Sequence, residues 1–447
     1  MNTLRSIAIH QDLTCSLHSK NDLYQSILYN LQIRSEVERL VRSWLGEWGE
    51  VLLRIGMSNR SQFSSEEIEA LFMATGMNRD DINRALGQGW MFARQDRSLR
   101  PRYVIPMEIH EAIQASLFRD FTSKVVNRET EPLIQRDEVH ALVNDLHTLI
   151  DYVLNHEVQL TTDGAMYKRH TQQLMELFEV PEDLKVSEWR FGYGRRTHDY
   201  PDRLALLYDF AYQHGILVES TNLTLQVSEA GMTWREKSRP GQLQRMVHFY
   251  LSLYRRPIPR LRDIVEVIRR VADRWVSSSS VLAACDLMVN SFYYDTQEDV
   301  WNTRIVKMLT HLGVLRTGFD QESDDLWFQM TNLGQELLTQ DEMDLVDKTT
   351  SQASLIVQPN FEVMVTVHDG KTEAVLSQFA DLKSAGAIRI YRILERTVER
   401  GFQAGYDFTA WRDMLTKCSL GPIPGNVERT LIEWQAAHQS SSRPLSS

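Results

Sequence analysis

Apolar residues along this chain recur with the helical spacing of three and four, switch to the alternation of short strands, and switch back several times. From Ser35 the pattern predicts three helices and a hairpin. Val37, Leu40, Val41, Trp44 and Leu45 make one apolar face, and Ser64-Ser65-Glu66-Glu67 opens a second helix as a capping box would. Asn78 or Asp80 begins a third helix, which carries Ile82 and Leu86. Gly89-Trp90-Met91-Phe92 and Arg102 to Pro106 then bracket the polar loop RQDRSLR. Helices closed by a short hairpin are the layout of a winged-helix-like unit.

The same order returns twice. The helix with Leu204, Leu207 and Ala211 runs into His214-Gly215-Ile216-Leu217-Val218, then a polar turn and Leu223 to Ser228. The helix with Val300, Ile305 and Leu309 runs into Leu312-Gly313-Val314-Leu315-Arg316, then the acidic loop DQESDD and Leu326 to Thr331. Each helix stops at a glycine because the chain there needs a left-handed residue. Helical connectors fill the rest, among them 137–155, 242–254, 261–276 and 279–292, broken most clearly at Arg255-Arg256-Pro257-Ile258-Pro259-Arg260. Residues before Ser35 read as weakly structured apart from a helix over 22–32, and 340–353 reads as an acidic link.

The last stretch reads as one α/β module. Leu355 to Val357 and the alternating Phe361, Val363, Val365 and Val367 predict two strands joined at Gln358-Pro359-Asn360. A helix with Val375, Phe379 and Leu382 on one face and closed by Gly386 follows, then a strand over 388–393 with Ile388, Ile390 and Arg392 on one side. Three more helices bury Val398 and Phe402, then Phe408, Trp411, Leu415 and Cys418, then Val427, Leu431 and Trp434, the last with Asn426 as N-cap.

Here the sequence resembles a known family. LIVQPNFEVMV, YRILERTVERGFQAGYDFTAWRDML and GPIPGNVERTLIEW are similar to the small N-terminal domain of the XPB helicase family. They are equally similar to the clutch domain of the TFIIH subunit that anchors XPB and stimulates its ATPase. The likeness rests on the strand with its Gln-Pro-Asn start, the strand exit at Tyr391-Arg392-Ile393, the helix ending Ala404-Gly405, and the Pro-x-Asn-Val approach to the last helix. Leu394-Glu395-Arg396 departs from it, since those families place Thr and a small residue there. The resemblance implies a non-enzymatic accessory protein, with a clutch-like module that pairs with a similar module on an XPB-like DNA helicase. Phe361, Val363, Ile390 and Tyr391 are the candidate contacts, and core packing of the same residues is the plainer role for at least half of them. A homodimer through this module is the other pairing such a surface allows.

The expected fold is thus mainly α with small β-hairpins: tandem winged-helix-like units followed by a small α/β, clutch-like C-terminal domain. The boundaries read are an N-terminal segment 1–34, units over 35–130 and 131–238, a connector with a third unit over 239–350, the module over 351–439, and a Ser-rich disordered tail over 440–447.

Composition narrows the function. The 447 residues have the apolar and charged fractions of a soluble globular protein, and no apolar run approaches a membrane span. The amino terminus shows no signal-peptide pattern, so a cytoplasmic protein without a membrane partner is expected. Three distant cysteines suit neither a disulfide frame nor a Cys-based zinc site. The net charge of −11 argues against coating nucleic acid by charge alone. It is uneven, however: from Lys185 to Trp275 sixteen Lys and Arg face ten Asp and Glu, whereas from Asp295 to Lys348 four face twelve. Phosphate contacts are expected in the former and not in the latter.

Two fragments imitate a motor. Gly370-Lys371-Thr372 ends like a phosphate-binding loop but has Val365 where the first glycine is required. Asp137-Glu138-Val139-His140 looks like a helicase metal tetrad but opens a helix instead of following a buried strand. No catalytic residues, metal ligands or cofactor site are assigned, and His140, His147 and Asp151 read as a solvated stripe on one helix. For double-stranded DNA, the candidates are Arg79, Asn83 and Arg84 on the helix before the first hairpin and Arg94, Arg97, Arg100 and Arg102 on the hairpin. Arg195 and Arg196 add a basic loop after Gly192-Tyr193-Gly194. Two other readings remain open: a stand-alone winged-helix transcriptional regulator, and a DNA-processing enzyme for which no acidic cluster is apparent.

Overall fold

The computed structural model describes residues 1–58, 60–95, 101–184, 192–320, 323–339, 355–366, 370–384 and 388–441. The chain is mainly helical with small antiparallel sheets, as the sequence pattern predicts. It divides into two compact units: residues 1–129 with 263–286, and residues 130–262 with 287–447.

In the first unit the long helix Arg34–Gly56 lies against Met107–Lys124. The contact is close because Gly56 has no side chain; a Cβ there would come within 2.6 Å of Leu117. Helices Ser65–Ala74 and Arg79–Gln88 start at capping boxes on Ser64 and Asn78. Strand Pro101–Val104 pairs with both Gln62–Ser64 and Phe92–Gln95. Trp48, Phe72 and Trp90 pack with ring centroids 5.9–6.4 Å apart, and the Trp48 indole N–H donates to Gln88 Oε1 at 2.6 Å. The amino terminus, expected to be weakly structured, forms the helix Asn2–His10. Its Ile7 and Ala8 are buried, and Ile7 fills the space a side chain at Gly89 would occupy. Leu4, Ile7 and Ala8 do stand at helical spacing, but over a single turn that the polar stretch after Ile9 does not extend.

In the second unit, helix Asp202–Gln213 precedes the hairpin Leu217–Glu219 and Thr224–Val227, to which Val158–Gln159 adds a third strand. Val300 to His311 precedes the longer hairpin Leu315–Asp320 and Ser323–Met330, flanked by Ile134–Arg136. The first turns of that helix, Val300–Val306, are wound as a π-helix, which the three-and-four spacing did not anticipate. Gly215 and Gly313 adopt φ of +65° and +66°, as does Gly89 at +82°, so the glycine recurring after each helix serves the left-handed exit inferred for it.

The C-terminal module has a four-stranded antiparallel sheet in the order Leu355–Val357, Glu362–Val365, Arg389–Arg392, Asp381–Ser384. Helices Gly370–Leu376, Glu395–Gln403, Phe408–Cys418 and Gly425–Ser441 complete it. Phe379, Trp411, Leu415, Val427 and Leu431 lie at its centre. Two expectations change. The helix read through Leu382 ends at Leu376, and Asp381–Ser384 is a strand whose Leu382 sits opposite Tyr391. Asn426 is not the N-cap: it lies inside the last helix, and its side-chain amide donates to the Pro359 carbonyl at 2.8 Å. The acidic link at 340–353 lies outside the described residues, as does the tail beyond Ser441. Among the described residues no helix is long and apolar enough to cross a membrane.

Candidate functional site

Alternation along a strand sends neighbouring side chains to opposite faces of the sheet. On the inner face of the C-terminal module lie Leu355 and Val357, Val363 and Val365, then Arg389 and Tyr391, all buried. The outer face carries Ile356, Met364 and Ile390, which sit in one row because the register pairs Ile356 with Met364 and Met364 with Ile390. Ile356 is 38% exposed, and Ile388 beside the row is 43% exposed. Of the four contacts read from the sequence, Val363 and Tyr391 therefore belong to the core. Ile390 stands on the outer row. Phe361, half-buried and at φ +66°, packs on Trp434 with ring centroids 5.9 Å apart.

The charge at Arg389 explains why the inner side of its strand escaped notice. Arg389 is fully buried and pairs with Glu373 at 3.0 Å; Glu373 also meets Arg239 at 3.1 Å and accepts the Tyr391 hydroxyl at 3.2 Å. The second Arg389 nitrogen donates to Thr148 Oγ1 on helix Ala141–Asn155. Nearby, Arg235 pairs with Asp151 at 2.7 Å and donates to Ser377 Oγ at 3.3 Å. The module is thus joined to the helices before it by buried ions. Burial opposes charge on Arg389, but Tyr391, Glu373 and Asp151 outweigh it and raise its pKa further. Burial pushes the Asp151 carboxyl up, with Arg235 and Arg389 opposing. His147 and Asp151 are buried among these partners, His147 with Gln242 at 2.9 Å, and do not form the solvated stripe that their spacing suggested.

Beside this junction opens a cleft of about 590 Å³. Tyr152, His156 and Gln173 line one wall and Asp381, Lys383, Arg392 and Arg396 the other. Both charge signs occur on the second wall: Arg396 lies 3.5 Å from Asp381, and Lys383 pairs with Glu362.

Residues 355–442 match the helicase conserved C-terminal domain. No curated protein matches the chain. The match covers the sheet and all the helices of the module, and links this end of the chain to helicase-associated domains.

The arginines proposed for DNA contact separate into paired and unpaired groups. On helix Arg79–Gln88, Arg79 pairs with Glu69 at 3.0 Å, and Arg84 pairs with Asp81 at 2.7 Å and with Glu47 while lying over the Trp48 ring. Asn83 is exposed beside them. On the hairpin, Arg94 and Arg102 are exposed and directly opposite each other, and among the described residues neither meets a carboxylate. Like charges facing each other across a strand pair destabilise it unless an anion lies between. Arg97 and Arg100 lie outside the described residues.

In the basic loop, Arg195 spans Glu219 at 2.9 and 3.3 Å and covers the Tyr212 ring. Arg196 is buried, pairing with Asp199 at 3.0 Å and donating to the Asp163 carbonyl at 2.9 Å. Gly194 here makes room for an internal carboxylate. Gly194 has φ +128°, and a Cβ on it would lie 2.0 Å from Asp209 Oδ2, the atom that accepts the Arg195 N–H at 2.7 Å. Burial pushes the Asp209 carboxyl up to about 6, against the backbone N–H groups that favour its charge.

The tetrad Asp137-Glu138-Val139-His140 does precede a helix, and its glutamate is consumed inside the fold. Glu138 accepts from Arg203 at 2.6 Å and contacts His311 at 2.8 Å, while Arg203 also binds Asp145 at 2.6 Å. Burial would raise the Glu138 pKa, yet His311 and Arg203 hold it at about 2.

Proposed function

We propose that this protein is a non-catalytic accessory of a DNA helicase or translocase of the XPB kind. It docks through residues 355–441, and the first hairpin unit holds duplex DNA in the manner of a winged helix. The observation that carries this reading is the match of the terminal module to the helicase conserved C-terminal domain. The strand before Gly370-Lys371-Thr372 pairs antiparallel with both its neighbours, whereas nucleotide-binding motors set their phosphate loops on parallel sheets. That arrangement supports docking over phosphate binding. The outer row Ile356, Met364 and Ile390 offers an apolar surface on which a like module could pair. Arg94 and Arg102, which meet no carboxylate among the described residues, supply cations for the DNA backbone.

The test is the ATPase rate of an XPB-like helicase from the same source, measured with and without the full chain. Co-elution and a several-fold faster ATPase are expected; no complex and an unchanged rate would overturn the proposal. The facing pair Arg94 and Arg102 equally serves a regulator that acts alone. That reading predicts salt-sensitive duplex binding with no effect on any helicase.

A further inference from the structure

Phe292 and Asp295 close a tight turn through reciprocal backbone hydrogen bonds of 3.0 Å, leaving Tyr293 and Tyr294 at its tip. The two are 73% and 79% exposed, among the most exposed large apolar residues described. Tyr293 has φ +51°. Tight turns assign that left-handed position to Gly, Asn or Asp, because a bulky side chain there strains the backbone. A glycine would close the same turn with less strain and expose no ring to water. Two large rings are nevertheless carried at this exposed tip.

The turn is firmly mounted. Phe292 packs edge-on against Tyr193 at 5.5 Å, and Tyr293 rests against Phe292 at 4.7 Å. Asp295 accepts from Arg304 at 3.3 Å, and that guanidinium lies 4.4 Å from the centre of the Tyr193 ring. Asp299, in the following helical turn, is engaged in capping Thr296. The aromatic tip is thus held rigid, which lowers the cost of ordering it when something binds.

Next to it lies a basic turn. A Cβ on Gly192 would touch the Phe292 ring at 2.8 Å and Pro257 at 3.8 Å, so Pro257, which directly follows Arg255-Arg256, lies near the ring on which Tyr293 rests. Arg255 and Arg256 are exposed, and among the described residues neither side chain meets a carboxylate. In the same quarter of the chain Arg195 and Arg196 are tied to acidic partners.

We infer that this corner binds single-stranded nucleic acid, with bases stacking on Tyr293 and Tyr294 and phosphates meeting Arg255 and Arg256. Adjacent exposed rings flanked by cations are the features that grip a strand without regard to sequence. A duplex offers no free base faces to stack on. The site goes beyond the proposed docking role: neither the helicase module nor the first hairpin takes part in it.

The test is fluorescence anisotropy of the full chain with a labelled oligo-dT of about 15 nucleotides, a length suited to such sites. The wild type is expected to bind at low salt. Tyr293→Gly combined with Tyr294→Ser is expected to lower affinity at least tenfold, with the chain still folding cooperatively because the relieved backbone strain offsets the lost Phe292 contact. Tyr293→Phe with Tyr294→Phe keeps the rings and is expected to keep the affinity. Arg255→Gln with Arg256→Gln should reduce the slope of log affinity against log salt by about 1–2. Full binding by the Gly/Ser protein overturns the proposal, and so does equal loss in the Phe protein. Failure of the wild type to bind also overturns it and assigns the tyrosines to a protein contact instead.

Discussion

The first hairpin unit and the interior of the second unit use charge in opposite ways. In the first, the centre is tryptophan and phenylalanine, the helix charges neutralise one another at the rim, and Arg94 and Arg102 face each other in water. In the second, Arg203, Arg235, Arg304 and Arg389 are all buried and each is held by carboxylates. The basic quarter from Lys185 to Trp275 therefore spends much of its surplus internally. What a stretch of sequence can offer a phosphate depends on which cations lack an acidic partner, and not on how many it contains.

The sharpest way to break this contrast is to remove one member of the buried set. Glu373→Gln leaves Arg389 and Arg239 without their shared carboxylate. Loss of one partner of a buried pair costs about 3–5 kcal/mol, which thermal or urea unfolding of the whole chain would register. If the variant melts with the wild type, the junction is not held by these ions.

A second test uses pH. The Asp209 carboxyl is raised to about 6 in the folded chain. A raised folded pKa means the stability it contributes is fully present below the ordinary carboxylate pKa near 4 and is lost as pH rises through about 6. Two pK units correspond to about 2–3 kcal/mol. Asp209→Asn keeps an acceptor for the Arg195 N–H and removes that titration. The variant should gain on the wild type between about pH 4 and pH 7, by urea midpoints at matched pH. Parallel curves would show that the cradled carboxylate does not titrate in this range.

Smaller effects follow on the exposed side. Arg94→Gln with Arg102→Gln should leave the melting temperature unchanged, lower duplex affinity and cut the salt slope by about 2. The comparison variant Arg79→Ala, which loses a surface pair, should change stability by less than about 1 kcal/mol. Met364→Glu on the outer sheet row should abolish helicase co-elution with little change in folding, since the side chain is only half-buried.

Much of this architecture was legible in the sequence. The recurrent helix, glycine and hairpin could be read because period and punctuation agree, and the last three helices because their apolar spacing is clean. What escaped had a physical cause in each instance. Ile388 and Ile390 do share one side of their strand, but which side is buried could not be read, because the buried side carries Arg389, an ion the hydrophobic pattern reads as surface. Leu382 suits a helix face and a strand face alike, and pairing with Tyr391 decides it. Arg196 looked available because its burial and its contacts with the Asp163 carbonyl and Glu219 are tertiary, and only Asp199 is a local partner. Tyr293 and Tyr294 gave no periodic signal, since turn tips have none. The module's place beside helicase domains, by contrast, was carried by spaced local motifs and agrees with the match over residues 355–442.

The ions at Glu373 also govern what separation of the module from the preceding helices would leave behind. An oily seam, once opened, leaves two adhesive faces that water rejects. A seam of guanidinium and carboxylate groups leaves faces that hydrate readily, so separation would yield well-behaved surfaces. Arg389 on one lip and Thr148 on the other would simply exchange each other for solvent.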